Sequence, residues 1–104
     1  MTRWVRVCAT EEVEEDDVIA VVIDGKTYAI CRSDDRDFYA TDGYCTHPRA
    51  LLCDGLVMDG VIECPKHNGR FDYRTGKALG APVIEDLRTY PTKVEGDNVY
   101  IRLG

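Results

Sequence analysis

A chain of 104 residues that is 44% apolar and 31% charged can build one modest core but not two, and its balance is that of a globular protein, so one domain spanning residues 1–104 is expected. A formal charge of -6 without any basic stripe excludes a nucleic-acid binder, and the longest apolar run, residues 18–23, is far too short for a membrane helix. Residues 1–10 carry a Trp and two Arg and no apolar signal segment, which makes the cytoplasm the expected compartment.

Strand signals dominate from the start. Residues 4–9 form a short β-type run, with Trp4 and Cys8 read as core residues, and residues 11–17 form an acidic connector with room for one helical turn. DVIAVVIDGKTYAICR follows, two strands joined at Asp24-Gly25, a strong hairpin signal, with Cys31 in the second. Residues 33–37 are a polar turn and FYAT is another strand. Residues 45–67 hold both histidines and three of the five cysteines, with two Asp-Gly turns at Asp54-Gly55 and Asp59-Gly60. FDY, the turn RTGK, and the pair LRTYPTKV and NVYIRL around Glu95-Gly96-Asp97 complete an antiparallel pattern. RTGKA lacks the flanking residues of a phosphate loop and is read as a turn. The fold class is all-β, a small antiparallel sandwich into which the Cys/His stretch is inserted as two loops and short strands.

Five cysteines cannot all pair, and clustered Cys and His in a reducing compartment point to metal. Cys45-Thr46-His47 and Cys64-Pro65-Lys66-His67 flank a 16-residue segment that can fold back as a hairpin and bring the pairs together. Thiolate with imidazole suits zinc or iron-sulfur chemistry and argues against magnesium or calcium. Zinc fingers usually pair like ligands in sequence, whereas a two-iron cluster with mixed ligation needs one ligand of each kind from each loop. The alternating order fits the binuclear site better. Cys8 and Cys31 fall in strand patterns where a thiol packs as a small hydrophobe, and Cys53 follows no ligand spacing.

C-T-H, sixteen residues, C-P-K-H resembles the Rieske [2Fe-2S] motif. The likeness continues through NGRFDYRTGKALGAPV and LRTYPTKVEGDNVYI, as in the small Rieske ferredoxins of bacterial ring-hydroxylating oxygenase systems. It implies a Rieske-type antiparallel β-sandwich with a cluster-binding subdomain near residues 43–80, and one [2Fe-2S] cluster per chain. By the same resemblance Cys45 and Cys64 hold the buried iron, and His47 and His67 hold the outer iron with their far ring nitrogens toward solvent. High-potential Rieske proteins add a disulfide and two hydroxyl donors; the matching residues here are Ala50, Lys66, Gly69 and Phe71. Without those donors the reduced state loses stabilisation, so the potential is expected near the bottom of the roughly -150 to +300 mV Rieske range. Asn68, where many relatives have Gly, is tolerable because Asn enters left-handed backbone readily.

The resemblance implies a one-electron carrier, not itself an enzyme. It would run from a flavin-dependent ferredoxin reductase to a terminal oxygenase acting on an aromatic compound, as a monomer, with Pro48 and Arg49 beside the exposed histidines. A catalytic oxygenase fragment would need further His on a separate iron. The small subunit of a nitrite reductase and a zinc-stabilised binding module are the other readings weighed.

Overall fold

In the computed structural model, residues 3–35, 37–46, 50–66, 68–80 and 85–103 are described. Among them, ten strands form three antiparallel sheets. The first contains β2 (Asp17–Ile23), β3 (Lys26–Arg32), β4 (Phe38–Asp42) and β8 (Thr89–Tyr90), in that order. The second places β10 (Asn98–Leu103) between β1 (Arg3–Ala9) and β9 (Thr92–Glu95), with a bulge in β1 between Arg6 and Cys8. The third is β5 (Leu56–Met58), β6 (Val61–Glu63) and β7 (Arg70–Asp72).

Two hairpin turns form where Asp-Gly announces them. Asp24 and Gly25 have φ of 51° and 81°, and Asp59 and Gly60 have 53° and 80°, the paired positive values that match the twist of the flanking strands. Asp54-Gly55 behaves differently. It closes a 3-10 turn at Leu52–Asp54, and Gly55 has φ of -92°. Glycine is needed there for space, because a Cβ would run into the carbonyl oxygen of Glu63.

β3 is the central strand, and its alternation splits the core in two. Ala29 and Cys31 face one apolar cluster with Val18, Leu52, Ile62, Phe71, Tyr73 and Leu87. Tyr28 and Ile30 face the other, with Cys8, Val13, Val99 and Ile101. The first sheet thus lies between the second sheet on one face and the β5–β7 unit on the other. A strand covered on both faces reads as an unbroken apolar run, which is why TYAIC shows little polar alternation. Fully burying one side chain such as Ile30 contributes roughly 1.5–3 kcal/mol.

The long segment LRTYPTKV is not one strand. Pro91 interrupts it; β8 pairs with β4 in the first sheet, while β9 pairs with β10 in the second. Proline cannot donate to a ladder, so the chain changes sheets where the ladder must break. Trp4 also departs from expectation. It is half-buried, with the Lys93 ammonium 4.6 Å from its ring centre, a cation–π contact at the surface rather than a core position. The acidic connector holds one 3-10 turn, Thr10–Glu12, and the Glu12 carboxylate accepts from the Ala9 N–H at 2.5 Å. Among the described residues, no helix is long and apolar enough to cross a membrane.

Candidate metal centre

Both cysteines of the ligand pattern stand at the same level of a hairpin. Beyond β4 the Leu52 N–H donates to the Gly43 carbonyl at 2.9 Å, Tyr44 bridges Leu51, and the Cys45 N–H donates to the Ala50 carbonyl at 2.8 Å. In the third sheet Ile62 faces Phe71, Glu63 faces Arg70, and the Cys64 N–H donates to the Gly69 carbonyl at 2.6 Å. Among the described residues, each cysteine is therefore the last paired residue of its hairpin, with residues 46–49 between the partners in one and 65–68 in the other. His47 and His67 belong to these segments by sequence; with Pro48 and Arg49 they lie outside the described residues.

Local sequence explains why the hairpins close there. Gly43 lies so near the backbone of Thr27 that a Cβ would stand 2.9 Å from its carbonyl oxygen, and its N–H donates to that same oxygen at 3.0 Å. Only glycine lets the chain leave β4 this closely against β3. In the second tip Asn68 has φ of 57°, so the left-handed backbone expected of Asn is present.

The two cysteines are buried in the same core cluster, the first. Cys45 is 3% exposed and Cys64 0%, both packed with Leu52, Ile62 and Phe71, and neither forms a disulfide. Two thiolates in so apolar a setting would be costly alone, whereas a bound cation offsets their charge and their desolvation. The pair of buried, unbridged cysteines at the bases of matching loops fits a thiolate-held metal group.

The other three cysteines do not stand at the base of a ligand loop, although Cys31 lies in the same core cluster and Cys53 packs against it. Burial pushes the Cys8 thiol up to about 11 and the Cys31 thiol up to about 12, so both are neutral hydrophobes in strands, as the sequence pattern implied. Cys53 is half-buried on the 3-10 turn Leu52–Asp54 and takes no place in either ladder. Phe71 is fully buried opposite Ile62, and Gly69 supplies the carbonyl that closes the second loop.

A cleft of about 550 Å³ opens beside Cys45, lined by Lys26, Thr27, Asp42, Gly43, Tyr44 and Thr46 among others. Its charged end is internally neutralised: Lys26 Nζ donates to Tyr90 Oη at 3.0 Å, Tyr90 Oη donates to Asp42 Oδ1 at 2.5 Å, and Lys26 lies 3.2 Å from the same carboxylate oxygen. The hydrogen bond to Tyr90, then the Asp42 carboxylate, raise the Lys26 pKa, so it stays an ammonium.

Likeness to known proteins extends over nearly the whole chain. The Rieske [2Fe-2S] domain matches residues 3–91. The chain belongs to the Rieske [2Fe-2S] domain family. One [2Fe-2S] cluster per chain is the group such a domain carries. The ferredoxin component of the naphthalene 1,2-dioxygenase system of Pseudomonas aeruginosa is 45% identical over 101 residues, covering 97% of this chain and 96% of that one. The Sphingomonas yanoikuyae B1 ferredoxin has the same fold, with a TM-score of 0.91 and 33% identity over 98% of this chain and 100% of its own. A chain from the complex of reduced oxygenase and oxidised ferredoxin in carbazole 1,9a-dioxygenase matches with a TM-score of 0.88 and 34% identity, covering 94% of this Rieske chain and 91% of that chain.

Some contributors to the site carried no sequence signal. Gly43 and Gly55 act by leaving room, and a close approach between distant segments has no local signature. Thr46 sits inside the motif, yet its role depends on Glu85, thirty-nine residues away.

Proposed function

We propose that this chain is the ferredoxin component of an aromatic-ring-hydroxylating dioxygenase system, a one-electron carrier from a flavin-dependent ferredoxin reductase to a terminal oxygenase. The observation that carries the reading is the pair of matching hairpins, each ending on a buried cysteine that a histidine follows two or three residues later in the sequence. Cys45 and Cys64 would hold one iron, and His47 and His67 the other. The bound cluster supplies one-electron oxidation and reduction.

The protein's own residues do the rest. Hydrogen-bonded ladders fix both cysteines, and the apolar wall of Leu52, Ile62 and Phe71 keeps water from the thiolates. With both histidines of the sequence assigned to the cluster, none is left among these 104 residues for a separate catalytic iron. Residues 43–80 act as the cluster-binding subdomain of a single domain, and the working state is a cytoplasmic monomer.

Charge governs the encounter with partners. Two ferric ions, two sulfides and two thiolates sum to zero, so the oxidised protein keeps its formal -6 and reduction adds one more negative charge. Glu15, Asp16, Asp34 and Asp59 come close enough in space that local desolvation, then the neighbouring carboxylates, raise the Asp16 pKa. Such a surface is steered toward basic patches on a partner, and exposed charges are screened over about 10 Å at 0.1 M salt. The test is the second-order rate of electron transfer to the oxygenase of a naphthalene 1,2-dioxygenase system, measured across salt concentrations. The expected rate falls with ionic strength, and Pro48→Ala and Arg49→Ala slow it by altering the loop tip. Absence of transfer, or a rate that rises with salt throughout while both variants match wild type, would contradict the proposal.

A further inference from the structure

The first ligand loop carries a bond that the motif itself does not require. Thr46, between Cys45 and His47, donates its hydroxyl to the backbone carbonyl of Glu85 at 2.9 Å. Glu85 opens a short strap whose next two residues are tied back to the turn after β7: the Ala78 N–H donates to Asp86 Oδ1 at 2.8 Å, and the Leu87 N–H donates to the Gly76 carbonyl at 2.7 Å. Leu87 anchors the strap in the core cluster that holds Cys45 and Cys64.

The path continues to the second ligand loop. Ala78 bridges Phe71, and the Leu79 N–H donates to the Arg70 carbonyl at 2.9 Å. Arg70 directly follows Gly69, whose carbonyl closes the loop on Cys64. From Thr46 through Glu85, Asp86 and Ala78 to β7, adjacent residues and hydrogen bonds link one loop to the other without a gap.

We propose that Thr46 and Asp86 are positioning residues that hold the two ligand loops in register through this strap. The proposal rests on the ligand assignment given above. Glycine or an apolar residue at position 46 would lose this tie between the first loop and residue 85. With the hydroxyl bond, Thr46 is fastened to a segment rooted in the opposite hairpin. Outer partners of this kind restrict how far ligand-bearing segments can move, and so influence both retention of a metal group and its potential.

The test uses the holo-protein and the variants T46V, which removes the hydroxyl and keeps the branched shape, T46S, which keeps the hydroxyl, and D86A at the other end of the path. Two quantities are read: the rate at which visible absorbance bleaches in excess chelator under argon, and the reduction potential. Thermal unfolding serves as a control for global damage. One net hydrogen bond corresponds to a roughly 2- to 10-fold change in an equilibrium or rate. T46V is expected to bleach faster by about that factor with a shifted potential, and T46S to match wild type. D86A should bleach faster as well, and T46V with D86A together should be no faster than the worse single variant, because both interrupt one path. Wild-type behaviour in T46V and D86A, equal damage in T46S and T46V, or multiplying effects in the double variant would overturn the proposal. If T46V fails to fold, D86A and T46S decide the same question. Wild-type protein without a cluster would instead overturn the ligand assignment, which separates the two failures.

Discussion

Changing Cys64 to Ser is expected to give a colourless protein with less than about a tenth of the wild-type iron, together with a lower unfolding temperature. The residue is fully buried, its backbone is fixed by the bond to Gly69, and a neutral hydroxyl does not replace thiolate charge at a ferric ion. Stability should fall with it, because a group that binds only the folded chain stabilises that state by mass action. Cys53→Ser is the matched control; its thiol lies on the neighbouring 3-10 turn, and both iron content and colour should be kept. Full iron in Cys64→Ser, or loss of iron in Cys53→Ser, measured by colorimetric iron assay on protein purified without oxygen, would show that the sulfur ligands are misassigned.

The second large effect is expected at a position with no chemistry. Gly55→Ala would place a methyl group against the carbonyl oxygen of Glu63, the residue before Cys64. Backbone cannot move aside as a flexible side chain does, so the 3-10 turn and β6 must separate. A loss on the order of 3 kcal/mol follows by analogy with overpacked cores. The same substitution at Gly25 meets open space and suffers only from its φ of 81°, a loss of about 1 kcal/mol. Urea unfolding of both variants checks the order. Equal midpoints would mean that the approach of residue 55 to β6 is looser than the structure has it.

Much of this was legible in the chain. Asp24-Gly25 and Asp59-Gly60 announced their hairpins because paired left-handed residues are a local requirement that the sequence must meet locally. The same dipeptide at Asp54-Gly55 misled, since there glycine answers to a distant carbonyl rather than to its own backbone. LRTYPTKV looked like one strand because its strand-forming residues are nearly continuous; Pro91 was the hint that the chain changes sheets. Trp4 was read as core from its apolar character, and the Lys93 ammonium over its ring is a contact that only the pairing of β9 with β10 and β10 with β1 creates.

At the centre, Cys45 and Cys64 stood out as candidate ligands by their spacing to the histidines, and the structure places both in one core cluster. The equal height of the two cysteines in their ladders was not readable. It depends on the registers Gly43 with Leu52 and Ile62 with Phe71, which tertiary packing sets. The bond from Thr46 to Glu85 was likewise invisible, because a threonine inside a motif gives no sign of a partner so far along the chain.

Pulsed electron paramagnetic resonance of the chemically reduced protein addresses the central claim most directly, because it detects ligand nitrogen at the paramagnetic cluster. With His47 and His67 as ligands, two strongly coupled nitrogens are expected in the wild-type spectrum, and one should vanish in each of His47→Cys and His67→Cys. A reduced cluster with no strongly coupled nitrogen, or couplings unchanged in either variant, would contradict the mixed-ligand centre on which the account stands.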